Sequence, residues 1–191
     1  MIAEPHTTGD FMPLYRLRDR VPRVHSSAFV HAQAVLIGDV EVAAGANIWP
    51  HAVLRADYGS IRVGRGSSVQ DGTVIHPSRT HPALIGADVV IGHRVHLDGC
   101  VIEDLVLVGS GAVILEGALI RRGALIAAGA LVTGGMEVGS GQRAQGVPAR
   151  MARNTMSIED VRSGARLYQR NAAHYAEHQV EVDHRGNPVR S

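Results

Sequence analysis

Between Ile91 and Cys100 the sequence sets His93, His96 and Asp98 within six residues. Two imidazoles and a carboxylate that close together are the donor types that hold a divalent metal. Cys100 adds a thiol, although a free cysteine is more commonly a small buried hydrophobe than a reactive group. Whether these donors can serve one ion depends on the element that displays them.

Bulk properties narrow the choices. The 191 residues suffice for one domain and an appendage, and the formal net charge is only +1. Scattered charge of that size argues against nucleic acid or an anionic membrane as the main partner. No apolar run reaches the length of a membrane span. Residues 1–11 carry no signal-peptide core, and a single cysteine cannot form an internal disulfide. The expected compartment is the cytoplasm. Glycine is abundant at 22 residues while aromatics make up 4%, a balance suited to short strands that turn at regular intervals.

A period of six runs through most of the chain. Counted from Ile37 it passes Ala43, Trp49 and Arg55, resumes after two inserted residues at Val63, and continues through Val69 and Ile75. After a longer insertion, about Pro77 to Leu84, it returns at Ile85, Ile91 and Leu97, then Ile102, Val108, Ile114, Ile120, Ile126, Val132, Val138 and Ala144. Backwards it reaches His31 and His25. A second column of small residues (Ala46, Ala52, Ala112, Ala118, Ala124, Ala130) keeps the same beat. Neither a period of two nor one of 3.6 fits. The expected fold is an all-β solenoid, a left-handed parallel β-helix of six to seven coils, with a C-terminal α-helix packed along it. Residues 1–11 read as a flexible extension, 12–153 as the β-helix, 154–182 as the helix, with Ser157 as its N-cap, and 183–191 as a flexible tail.

On such a prism the anchors face inward and their neighbours face out, so Gln70, His76, His96 and Asp98 are expected on the outside and His93 at a corner. One coil is about eighteen residues and coils stack about 4.8 Å apart. His76 and Asp98, one coil and an inserted loop apart, should then be vertical neighbours.

Four motifs, in this order and spacing, resemble the gamma-class carbonic anhydrases and their homologues: Trp49-Pro50-His51-Ala52-Val53-Leu54-Arg55-Ala56-Asp57, Val69-Gln70-Asp71-Gly72, Val74-Ile75-His76 and Ile91-Gly92-His93. Gly146-Val147-Pro148-Ala149-Arg150 is similar to that family's exit from the helix. The resemblance implies a homotrimer with a metal at subunit interfaces, and a set of two histidines and Asp98 would suit zinc or, with open positions, Fe(II) or another divalent metal. His76 matches one ligand and His93 the ligand offered across the interface. Arg55 and Asp57 match a pair that braces the interface, Gln70 a residue that orients solvent or substrate, and Asp71 a support for the site. The family's third histidine stands where this chain has Asp98. Three readings stay open: Asp98 ligates; His96 completes three histidines with Asp98 behind it; or the chain keeps only the scaffold. The implied activity is attack of metal-bound water on carbon dioxide or a related small carbonyl compound. The alternatives are an acyltransferase using acetyl-CoA and a metal-free scaffold or carrier.

Overall fold

The computed structural model describes residues 13–153 and 156–189; the expected extension at residues 1–11 lies outside them. The chain winds as a left-handed β-helix of about seven turns with one α-helix after it. Three ladders of short parallel strands form the faces of a prism. The first face stacks Val53–Val63 (its leading half), Val74–His76, His96–Asp98, Val113–Ile114 and Leu131–Val132. The second stacks the trailing half of Val53–Val63, then Ala83–Ile85, Val101–Ile102, Leu119–Ile120 and Glu137–Val138. The third runs from Phe29–Val30 through Asn47–Ile48, Ser68–Val69, Val90–Ile91, Leu107–Val108 and Leu125–Ile126 to Arg143–Gln145.

Each coil uses its backbone groups on the next, as when His96 N–H donates to Ala112 O at 2.9 Å and Val113 N–H to Ala130 O at 2.8 Å. Inward side chains stack as columns, and Ile75, Leu97, Ile114 and Val132 are fully buried on the first face. The turns recur every sixth residue. Gly111, Gly117, Gly123, Gly129, Gly135 and Gly141 all sit at φ between +66° and +74°, a region that costs a residue with a Cβ about 1–2 kcal/mol.

The phase of the early coils differs from the expectation. The inward residues are Val30, Leu36, Val42, Ile48 and Leu54, one position before His31, Ile37, Ala43, Trp49 and Arg55. Apolar doublets (Leu36-Ile37, Ile48-Trp49) make either member look like an anchor. Buried Ala46 and Ala52 carry the true phase, because they follow Val42 and Ile48 by the same four residues that separate Val108 from Ala112. The first insertion is therefore three residues rather than two: Gly38 pairs with Ala56 and Val40 with Ile61. This bulge, the loop after His76, and the single five-residue step from Leu97 to Ile102 all fall on the edge between the first and second faces.

The helix, Ile158–His178, is opened by a capping box between Ser157 and Asp160. It lies on the third face, packing against the strands at Phe29, Asn47, Ser68 and Val90, and buries Val161, Ala165 and Ala172. Gln169 Nε2 donates to Gly66 O at 2.9 Å. The far end is tied by Gln179, whose amide lies 2.9 Å from His31 Nε2. Because Gln33 N–H donates to His31 Nδ1 at 3.1 Å, that nitrogen must be unprotonated; Nε2 carries the hydrogen and Gln179 meets it with its carbonyl oxygen.

Burial lowers the His31 pKa from 6.5; Asp71 pulls it up, His51 presses it down and the Gln179 bond raises it, the net being a lowering. With the folded value depressed, the stabilisation is complete above about pH 6.5 and is lost as pH falls toward the folded pKa. We expect the thermal midpoint of the wild type to drop more steeply than that of His31→Asn between neutral pH and pH 5. Parallel curves would show that His31 does not act this way.

Candidate metal centre

His76 and Asp98 are direct register partners on adjacent coils, as the stacking argument requires. His76 Nε2 lies 2.8 Å from Asp57 Oδ1, and Nδ1 lies 3.8 Å from Asp98 Oδ1. Asp57 reaches the imidazole from the three-residue bulge. Arg55, on the strand leading into that bulge, forms a close ion pair with Asp57. Partial burial pushes the Asp57 carboxyl up, but the hydrogen bond from His76 and the charge of Arg55 outweigh it and hold the group below its usual range. Tyr58, also in the bulge, stands edge-on to the His76 ring at 6.0 Å, with Arg79 over its other side at 4.8 Å.

This arrangement assigns the His76 tautomer. With Nε2–H donating to Asp57, the Nδ1 lone pair faces a carboxylate oxygen. Two acceptors facing one another need a donor or a cation between them: a water, a second proton, or a metal ion. Two donors held about 2.1 Å from one tetrahedral ion lie about 3.4 Å apart, close to the 3.8 Å seen here. A carboxylate on the far nitrogen of a ligating histidine is a common way to fix its ring.

His93 stands on a different edge, between the first and third faces. Its Nδ1 lies 3.0 Å from Asp71 Oδ2, the side chain is half exposed, and Nε2 has no partner among the described residues. The next residue, Arg94, takes a left-handed φ of +53°, so this corner is held against local preference. His93 and the His76–Asp98 pair are thus at opposite margins of one face. No three His, Cys, Asp or Glu side chains gather as a metal-holding group among the described residues. Both imidazoles are braced by carboxylates and fit a metal by donor type, but a single protomer does not unite them.

The other candidates separate clearly. His96 occupies the neighbouring outward column, in register with Val74 and Val113, and its ring makes no hydrogen bond or ion pair among the described residues. Gln70 leaves the prism outward as expected, yet is only 3% exposed, because the helix covers it and Tyr168 shares a hydrogen bond with it. Burial, then the charge of Asp71, raises the Tyr168 pKa. His81, in the inserted loop, lies 2.9 Å from Glu116 Oε1, which also accepts from Thr80 at 2.7 Å and from Ser78. The hydrogen bond from Ser78, then those of Thr80 and His81, holds Glu116 down to about 2. Sequence reasoning did not find the hold of Asp57 on His76, which depends on the length of the bulge, or the packing of Tyr168 and Tyr175 edge-on against Trp49. The spacing of Tyr168 and Tyr175, seven apart on one helix face, was the available signal for an aromatic wall.

No family model matches the sequence. The chain is 42% identical over 148 residues to carnitine operon protein CaiE of Escherichia coli, covering 78% of this chain and 76% of that one. It is 37% identical over 152 residues to mitochondrial gamma carbonic anhydrase 1 of Arabidopsis thaliana, covering 76% of this chain and 55% of that protein. The chain belongs to the gamma-carbonic-anhydrase-like family of hexapeptide-repeat proteins. It spans only about half the length of the Arabidopsis relatives. Among solved structures, a Bacillus cereus protein described as an acetyltransferase superposes with TM-score 0.84 at 33% identity, covering 87% of this chain and 98% of that one. A hexapeptide transferase family protein of Anaplasma phagocytophilum gives 0.82 at 34%, with 86% and 98% covered. Among the described residues, no helix is long and apolar enough to cross a membrane.

Cys100, beside this site in sequence, is 2% exposed, and burial, reinforced by the charge of Asp98, pushes its thiol up to about 12. It should resist a thiol reagent in the folded protein and label stoichiometrically in denaturant. Rapid labelling under native conditions would contradict that placement.

Proposed function

We propose that this chain is a homotrimeric, gamma-carbonic-anhydrase-like metalloenzyme that hydrates carbon dioxide or hydrolyses a related small carbonyl compound. The observation that carries the reading is the facing pair of His76 Nδ1 and Asp98 Oδ1, 3.8 Å apart, with the matching third donor, His93, aimed outward from another edge. In a threefold ring each His76–Asp98 pair would receive His93 from the adjacent subunit, giving two imidazoles and a carboxylate. Zinc, or Fe(II), is the ion such a set suits. When bound, zinc supplies Lewis acidity and a hydroxide nucleophile near neutral pH.

The chain's own residues do the rest. Asp57 holds the proton on His76 Nε2 and so keeps Nδ1 available as a donor. Arg55 keeps Asp57 ionised. Asp71 does for His93 what Asp57 does for His76, with the nitrogens exchanged. Gln70, fixed by Tyr168, can orient solvent or substrate from beneath the helix. Asp98 brings a negative charge where the family's histidine brings none, which opposes acidification of bound water. Activity should therefore rise at a higher pH here than in Asp98→His.

Three measurements test this. Purified protein should sediment as a trimer and take up close to one zinc per chain. His76→Ala and His93→Ala should each fail to retain metal, while mixed trimers of the two recover some, because one intact interface forms where the surviving histidines meet. Replacing Asp57 with Asn should weaken zinc binding about 10–100-fold. A monomer, or no recovery on mixing, would remove the shared site.

The two transferase-named neighbours support a second reading, acyl transfer from acetyl-CoA. Tight acetyl-CoA binding by metal-free protein would favour it. Full zinc uptake with no affinity for acetyl-CoA favours the first.

A further inference from the structure

Four of the seven aromatic residues in this chain gather at one place. Trp49, its only tryptophan, projects from the third face, and its indole Nε1 donates to Asn47 Oδ1 at 2.7 Å, so the ring is pinned. Phe29 lies tilted against it at 5.5 Å, and Tyr168 and Tyr175 meet it edge-on at 6.0 and 5.2 Å. Between these rings and the corner of the prism is a groove of about 230 Å³, lined by Trp49, Pro50, Tyr168 and Tyr175 together with Asn171, Asp71 and His93.

We infer that this groove is the acyl subsite of the His93 centre, built for a compact, flat, uncharged group attached to a carbonyl. The inference rests on the placement of His93 in the functional site. It narrows the substrate to carbonyl compounds bulkier than carbon dioxide, which needs no such wall. Size, polarity and position agree. An apolar cavity of about 150 Å³ accepts benzene, so 230 Å³ holds one ring and the start of a carbonyl arm. Ring faces and edges from fixed aromatics favour a flat group in offset or edge-to-face contact. Asp71 and His93, 3.0 Å apart, both line the groove, so an apolar group seated against the rings can turn its carbonyl toward the imidazole. Asn171 has no side-chain partner among the described residues and can hydrogen-bond that carbonyl. The Asp71 carboxylate in the same groove disfavours an anion.

Trp49 makes the test direct, because all tryptophan emission comes from the groove. The purified oligomer is titrated with benzamide as probe, acetamide as the control lacking a ring and benzoate as the charged control, with emission corrected for ligand absorbance. Benzamide should give a saturable change with affinity at least about tenfold above acetamide, equivalent to about 1.4 kcal/mol, and benzoate should bind more weakly than benzamide. Tyr175→Ala should cost about fivefold or more in benzamide affinity; Asn171→Leu, a rim change that leaves the aromatic packing intact, should also weaken it. Equal responses to benzamide and acetamide, no saturation, or unchanged affinity in both variants would overturn the subsite. Zinc uptake is measured on the same samples. Benzamide binding without zinc uptake refutes the metalloenzyme reading and keeps the groove, whereas zinc uptake without benzamide binding does the reverse.

Discussion

The coil-to-coil ladder governs everything else in this protein. Every strand satisfies its backbone on the coils above and below, so a side chain's neighbours are set mainly by residues one turn away. Sequence distance becomes vertical distance in units of a strand spacing. His76 and Asp98 meet for this reason and no other; neither is selected by local structure. The same rule keeps His93 away from them, since five residues of extended chain carry it across a whole face. A scaffold of this kind displays chemistry on its edges but cannot fold those edges toward each other. In the function proposed above, association between copies brings the separated donors together.

The helix adds what the ladder lacks. A bare prism offers flat faces and small corners, which suit small ligands poorly. Laying Ile158–His178 over the third face buries Gln70, pins it through Tyr168, and raises a wall beside His93. The helix is held at its middle by Gln169 on Gly66 and at its C-cap by Gln179 on His31, and both ties are to corner or turn positions.

Much of this was legible in the chain. From Val63 onward the aliphatic beat named the buried residue of each strand, and one-coil spacing placed His76 over Asp98. The early coils were misphased where two apolar residues stand side by side, because hydrophobicity alone cannot say which of Ile48 and Trp49 faces in. The alanine column could, since a small residue is needed where the next corner closes. The hold of Asp57 on His76 was not legible: it depends on three extra residues whose path no periodicity describes. The burial of Gln70 was equally hidden, because the covering helix is more than eighty residues away in sequence and packs through scattered small side chains.

Every departure from the period of six falls on a single edge, at the bulge containing Asp57, the loop after His76 and the shortened step after Leu97. At this edge the chain bulges sideways and rejoins the same column, so the register of the later coils is kept. The fold thus keeps one margin free for editing, and it is the margin that borders His76 and Asp98. Loops can be exchanged there, by drift or by design, to reshape the approach to the site without recutting the core.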